Sequence, residues 1–214
     1  MRTDAAGPGR QPGAAQALSI IVANAMPILA QAALVPSLPL LLKHFAYLPG
    51  ANYLVPLILT IPTLCLGFLS SIGGMLADRF GRRRVLLCAL LVYAIAGTVP
   101  VFMEDLTAII AARLVLGLAE TCIPSSGNAL LGDYFTGDSR RRWISLEMML
   151  GPLIGSIMLV SGGFLGTVSW HAPFLLYAFG FVPLILVYFF TWEPERRVVE
   201  VHAADAAGFP WRRA

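Results

Sequence analysis

Residues 74–84 read Gly74-Met75-Leu76-Ala77-Asp78-Arg79-Phe80-Gly81-Arg82-Arg83-Arg84, a polar turn with one acid and a run of arginines. Almost wholly apolar chain flanks it, at residues 53–77 and 84–103. Each flank is long enough to cross a bilayer core, which takes about 20 residues of helix. Four more stretches of this kind lie at 18–42, 107–131, 143–166 and 171–192. The pattern predicts an all-α membrane protein: a six-transmembrane-helix bundle over 18–192, an N-terminal tail at 1–17 and a further segment at 193–214.

Composition points the same way. The chain is 57% hydrophobic and 13% charged, where soluble domains are about half apolar and a quarter charged. Its mean hydropathy is +0.76. A soluble helical bundle would need polar helix faces that these spans lack. The pI near 9.0 comes from arginines placed between apolar spans, so the expected partner is the lipid bilayer and not nucleic acid. Cys65, Cys88 and Cys122 fall in three different spans without paired spacing and read as small buried hydrophobes. The sequence offers no nucleophilic triad, His-rich metal cluster or phosphate-binding glycine loop, so neither an enzyme nor a cofactor is expected. Without an ATP-binding motif, any transport would draw on an ion gradient.

Charge sets the orientation. Lys and Arg accumulate on the cytoplasmic side of membrane proteins. One set of connections carries Arg2, Arg10, Arg79, Arg82, Arg83, Arg84, Arg140, Arg141, Arg142, Arg196, Arg197, Arg212 and Arg213, thirteen of the fifteen basic residues. The other set has Lys43 with Glu104 and Asp105, while Arg113 lies inside the fourth span. Both termini are therefore expected to be cytoplasmic, with 78–83 and 132–142 inward and the connections near 43–52, 104–106 and 167–170 outward. Ala23-Asn24-Ala25 imitates a signal-peptide cleavage site, but the apolar run continues to Leu42 and predicts an uncleaved first helix.

Gly74 and Gly81 suit a tight reversal and close backbone approach, and Asp78 suits a helix N-terminus on a neighbour. A topogenic charge cluster explains the arginines but not the fixed Gly and Asp spacing. That spacing resembles the cytoplasmic loop motif of the major facilitator superfamily: glycine, three residues, aspartate, a basic residue, any residue, glycine, two basic residues. Every defined position matches. The resemblance implies half of a twelve-helix major facilitator fold, the N-terminal half, built as two inverted three-helix repeats, with Pro62 and Pro152 in the middle helix of each. It also implies that the motif acid holds a cytoplasmic gate against a C-terminal helix, and that a motif arginine pairs with an acid at the cytoplasmic end of the fourth helix. Arg82 with Asp133 is the expected pair. The gating group is thus Gly74, Asp78, Arg79, Gly81, Arg82, Arg83 and Asp133.

The fourth span, Arg113-Leu114-Val115-Leu116-Gly117-Leu118-Ala119-Glu120-Thr121-Cys122-Ile123-Pro124, resembles the family's fourth-helix pattern. Ionisable groups in a span are expensive and mark a substrate or proton path by default. Arg113 and Glu120 are seven apart and share a face. A rise of about 1.5 Å per residue puts Arg113 roughly 9 Å from the outer boundary and Glu120 roughly 10 Å from the inner one. Asn24 and Gln31 in the antiparallel first span match those depths, Gln31 with Arg113 and Asn24 with Glu120. The expectation is one polar seam, Asn24, Gln31, Arg113, Glu120 and Thr121, lining the path, with Arg113 orienting the site and Glu120 titrating. The structural alternative is that Arg113 bonds helix one and Glu120 is a neutral acid satisfied by Asn24 or Thr121.

Span five carries Gly151-Pro152-Leu153-Ile154-Gly155-Ser156, which resembles the fifth-helix motif of proton-coupled exporters but departs from it at Glu147 and Ser156. A small-residue packing face around Gly151, Pro152 and Gly155 is the other reading, and does not exclude the first. Trp170 and Trp192-Glu193-Pro194 are smaller familial echoes, and His171 reads as a solvated surface histidine. The resulting expectation is a multi-pass protein of the cell membrane, the inner membrane in a Gram-negative cell. Its expected function is proton-coupled export, by antiport, of small organic compounds or drugs. Proton symport of an organic anion is the alternative, and a non-transporting fragment or partner of a complementary half is the alternative of another class. The expected partners are substrate, protons and a C-terminal six-helix half or a second copy.

Overall fold

A computed structural model of the chain describes residues 11–194. The sequence readings at Arg2, Arg10, Arg196, Arg197, Arg212 and Arg213 lie outside the described residues. Six helical segments are long and apolar enough to span a membrane: α1 Ala14–His44, α2 Ala51–Phe80, α3 Arg82–Phe102, α4 Leu106–Tyr134, α5 Gly137–Val168 and α6 Ala172–Phe190. Among the described residues there is no strand. Four of the segments cover the expected apolar runs, with α2, α4 and α5 reaching beyond them at both ends, while α3 stops one residue short at Phe102 and α6 falls inside 171–192. Polar residues such as Asp78 and Arg79, Asp133, and Arg140 to Arg142 keep the helix going past the apolar stretch.

Proline shapes α1, α6 and the end of α3, where Pro100 lies in the first turn of a 3-10 piece, Val99–Phe102. In α1 the helix runs Ala14–Asn24, then Met26–Leu34, a 3-10 turn at Val35–Ser37, and Leu38–His44. Pro27, Pro36 and Pro39 each open one of the later pieces, since a proline has no N–H for the preceding turn. In α6 a 3-10 segment, Ala172–Gly180, carries Pro173 in its first turn and gives way to α-helix at Phe181–Phe190. Pro56, Pro62, Pro124 and Pro152, by contrast, sit inside continuous helices.

The connections are short. At the Arg-rich end Gly81 alone joins α2 to α3, with φ of +101°, a region closed to residues with a Cβ. At the opposite end Asp105 begins α4 by accepting the N–H groups of Thr107 (3.3 Å) and Ala108 (3.0 Å), an N-cap of the usual kind. There too Glu104 lies 3.9 Å from His44 and 3.6 Å from His171. His171 also stacks on Trp170. The expectation of a solvated His171 is therefore corrected: an aromatic plane and a carboxylate hold it half-buried.

α1 and α4 are the most enclosed helices, α2 and α5 the most exposed. Close approach is bought by small residues. A Cβ on Gly117 would meet Pro62 and Cys65 of α2, and Cβ atoms on Gly151 and Gly155 would meet Ile28 of α1. Two buried phenols tie α1 inward: Tyr93 donates to the Met26 carbonyl (3.0 Å) and Tyr177 to that of Ala30 (2.8 Å). Phe68 and Met75 on α2, with Met148, Leu153, Val160 and Phe164 on α5, leave broad apolar faces exposed.

Candidate functional site

The centre of the bundle holds two ionisable side chains. Arg113 and Glu120 of α4 are 0% and 1% exposed. The Arg113 guanidinium lies over Phe174 (4.8 Å) and Tyr177 (4.6 Å), both of α6. Its Nη2 donates to the Gly97 carbonyl of α3 (3.1 Å), while Nε and Nη1 meet no hydrogen-bond acceptor. Aromatic faces stand in for that missing solvation, an interaction worth about 2 kcal/mol when desolvated. Gly97 is required there, because a Cβ would run into the Tyr177 ring. Glu120 is as enclosed, and its Oε1 has no hydrogen-bond partner. Thr121 spends its hydroxyl on the Gly117 carbonyl of its own helix (2.8 Å).

The expected seam between α1 and α4 is not what forms. Gln31 donates to Thr63 Oγ1 of α2 (3.0 Å). Asn24 donates to Asn128 Oδ1 of α4 (3.0 Å) and to Glu147 Oε1 of α5 (3.1 Å). Arg113 bonds helix three and not helix one, and neither Asn24 nor Thr121 satisfies Glu120. The depth estimates concerned distance along the helices. Neighbours around each axis decided the pairing, and Glu147, read from sequence only as a motif departure, captured Asn24.

At the Arg-rich end Arg82 Nη1 pairs with Asp133 Oδ1, the pair the motif implied, and Nη2 lies 3.4 Å from Asp78 Oδ1. One arginine thus joins α2, α3 and α4. Arg83 instead reaches α6, donating to the Tyr188 carbonyl (2.8 Å) and to Thr191 Oγ1 (3.2 Å). The start of α3 receives Glu193, whose carboxylate accepts the N–H groups of Arg83 and Arg84, both at 3.3 Å, where the helix dipole favours a negative charge. One expectation is corrected: open space surrounds Gly74 within this bundle, whereas a Cβ on neighbouring Gly73 would strike the Thr121 carbonyl of α4. Arg79 is exposed on the final turn of α2.

On α5, Gly151 and Gly155 face α1 while Pro152 is exposed. The small-residue face runs further than its motif, since Gly162 meets the Ala33 carbonyl and Gly166 meets Leu40 and Ser37. The 4-7-4 spacing of these four glycines is visible in the sequence and was the available signal.

A bundle of six long apolar helices defines an integral membrane protein of the multi-pass kind. The fold is that of the solved proton:xylose symporter XylE bound to 6-bromo-6-deoxy-D-glucose, with a TM-score of 0.65 over 81% of this chain and 44% of that one; at 14% identity the likeness concerns the fold. The family model described as Major Facilitator Superfamily matches residues 20–214, and the chain belongs to that family. Its members are transporters and not enzymes. Among its relatives, the class C tetracycline resistance protein of Escherichia coli is 33% identical over 83% of this chain and 46% of its own length. The bacillibactin exporter of Bacillus subtilis is 27% identical over 73% of this chain and 40% of its own. The chain spans less than half the length of these relatives.

Proposed function

We propose that the chain is the N-terminal bundle of a proton-coupled exporter of small organic compounds, with Glu120 carrying the proton and Arg113 setting the field around it. One observation carries this: a carboxyl almost wholly removed from water, one oxygen unpartnered, two turns from a buried guanidinium on the same helix face. A carboxyl that is desolvated and only partly satisfied changes protonation readily when its surroundings change. Asn24, Gln31 and Thr121 would line the same path without touching the Glu120 carboxyl, each being bonded elsewhere. A tetracycline resistance protein and a bacillibactin exporter among its relatives favour outward movement.

The excess of arginine at one end of the bundle supports a cytoplasmic position for that end. There Asp78, Arg79, Gly81, Arg82, Arg83 and Asp133 form the gating group, working against a second six-helix bundle. Two bundles are what alternating access needs, one rocking against the other around a shared site. Uptake of an organic anion has less support, because Arg113 is sealed between aromatic rings and faces no open surface.

The test is proton flux in pyranine-loaded proteoliposomes that hold the chain with a complementary bundle. Substrate-dependent proton movement is expected in the wild type and absent in Glu120→Gln. Full-rate coupled flux in that variant sinks the proton role of Glu120.

A further inference from the structure

A groove of about 570 Å³ runs along one side of the bundle between α2, α3 and α4, and no role assigned above uses it. Phe80, Cys88, Val92, Val115 and Cys122 are among its lining, and Arg84 is the one charged side chain there. Arg84, Cys88, Val92 and Val115 are exposed while Cys122 is half-buried. The groove therefore opens sideways, towards whatever surrounds the bundle, and not into its centre.

Its dimensions and its charge point to the same occupant. On α3 the lining runs from Arg84 to Val92, eight residues or about 12 Å of helix. That is most of the roughly 15 Å that one leaflet contributes to a 30 Å hydrocarbon core. Arg84 is the first residue of the apolar run at 84–103, so its guanidinium stands at the depth of lipid headgroups. No ion pair or side-chain hydrogen bond engages it among the described residues. The nearby Glu193 carboxylate is taken up by the backbone N–H groups of Arg83 and Arg84. Arg79 lies over the Phe80 ring at 5.5 Å and brings a second guanidinium to the same mouth. A helix about 10–12 Å across, laid along this stretch, would fill on the order of 1,000 Å³. The groove suits a single hydrocarbon chain better than the body of another helix.

We propose that this groove seats an acyl chain of an anionic phospholipid from the leaflet at the Arg-rich end, with the headgroup phosphate on Arg84. A guanidinium meets a phosphate with two parallel N–H donors, and basic pockets between spans favour anionic headgroups. A zwitterionic lipid carries its own cation beside the phosphate and gains less from the arginine. The inference depends on the chain crossing a bilayer, not on the direction or the substrate of transport.

The experiment is native mass spectrometry of the full chain, released from detergent with equal amounts of dioleoyl phosphatidylglycerol and dioleoyl phosphatidylcholine, which differ in headgroup alone. Retained phosphatidylglycerol is expected to exceed phosphatidylcholine about fivefold in the wild type. Arg84→Gln is expected to bring the two lipids level. Arg141→Gln is the charge-matched control, since Arg141 is at the same end, exposed beside Asp138 and outside the groove lining; it is expected to keep the preference. Cys88→Phe puts a ring into the groove from an exposed position, and is expected to reduce retention of both lipids while Arg84 is still present. Equal retention of the two lipids by the wild type, the same loss in Arg141→Gln as in Arg84→Gln, or undiminished retention in Cys88→Phe overturns the site. So does alkylation of Cys88 that phosphatidylglycerol leaves unchanged and a complementary bundle blocks, which would assign the groove to protein.

Discussion

Gly97 and Tyr177 show how one residue conditions the buried charge. The ring of Tyr177 occupies the space a Cβ at position 97 would take, and that ring is one of the two faces under Arg113. Gly97→Ala is therefore expected to displace Tyr177 from both Arg113 and the Ala30 carbonyl. Overpacking of this kind costs about 1–3 kcal/mol, and thermal unfolding in detergent should show a lowered midpoint. An unchanged midpoint means that α3 and α6 are not packed as described. At this scale the sequence was informative about which residues are unusual and poor at saying what they touch. A charge inside an apolar span is conspicuous, and a spacing of seven fixes a shared face. Nothing in that spacing names the neighbour, which is why Gln31 found Thr63 and Asn24 found Glu147.

Among the elements, α5 depends most on small residues. Its glycines at 151, 155, 162 and 166 lie against α1, and its other faces carry large exposed apolar side chains. A branched side chain at Gly162 would force the Ala33 backbone away, and backbone has no rotamer to yield with. Gly162→Val is expected to unfold the bundle more readily than Val160→Ala, a substitution on the exposed face. Comparing the two midpoints in the same detergent checks this, and equal midpoints contradict the α1–α5 contact. The Arg-rich turn has a different legibility. Its motif spacing specified the Arg82–Asp133 pair because family resemblance carries long-range information that helix periodicity lacks. The Glu193 contact at the start of α3 joins residues more than a hundred positions apart and left no local signal.

At the scale of the whole molecule, hydropathy alone made six spans legible, because a bilayer core imposes a length and a composition that soluble cores do not. Helix ends were less legible, since polar turns continue a helix beyond the apolar run as easily as they stop it. The exposed apolar faces of α2 and α5 suit lipid and a second bundle equally well by hydropathy, so the assembly has to be measured. The direct test is substrate flux in proteoliposomes containing the monomeric chain, first alone and then together with the portion of the class C tetracycline resistance protein that follows its matched part. No flux is expected from the chain alone, and proton-linked flux once the second bundle is present. Flux from the monomeric chain by itself would contradict it.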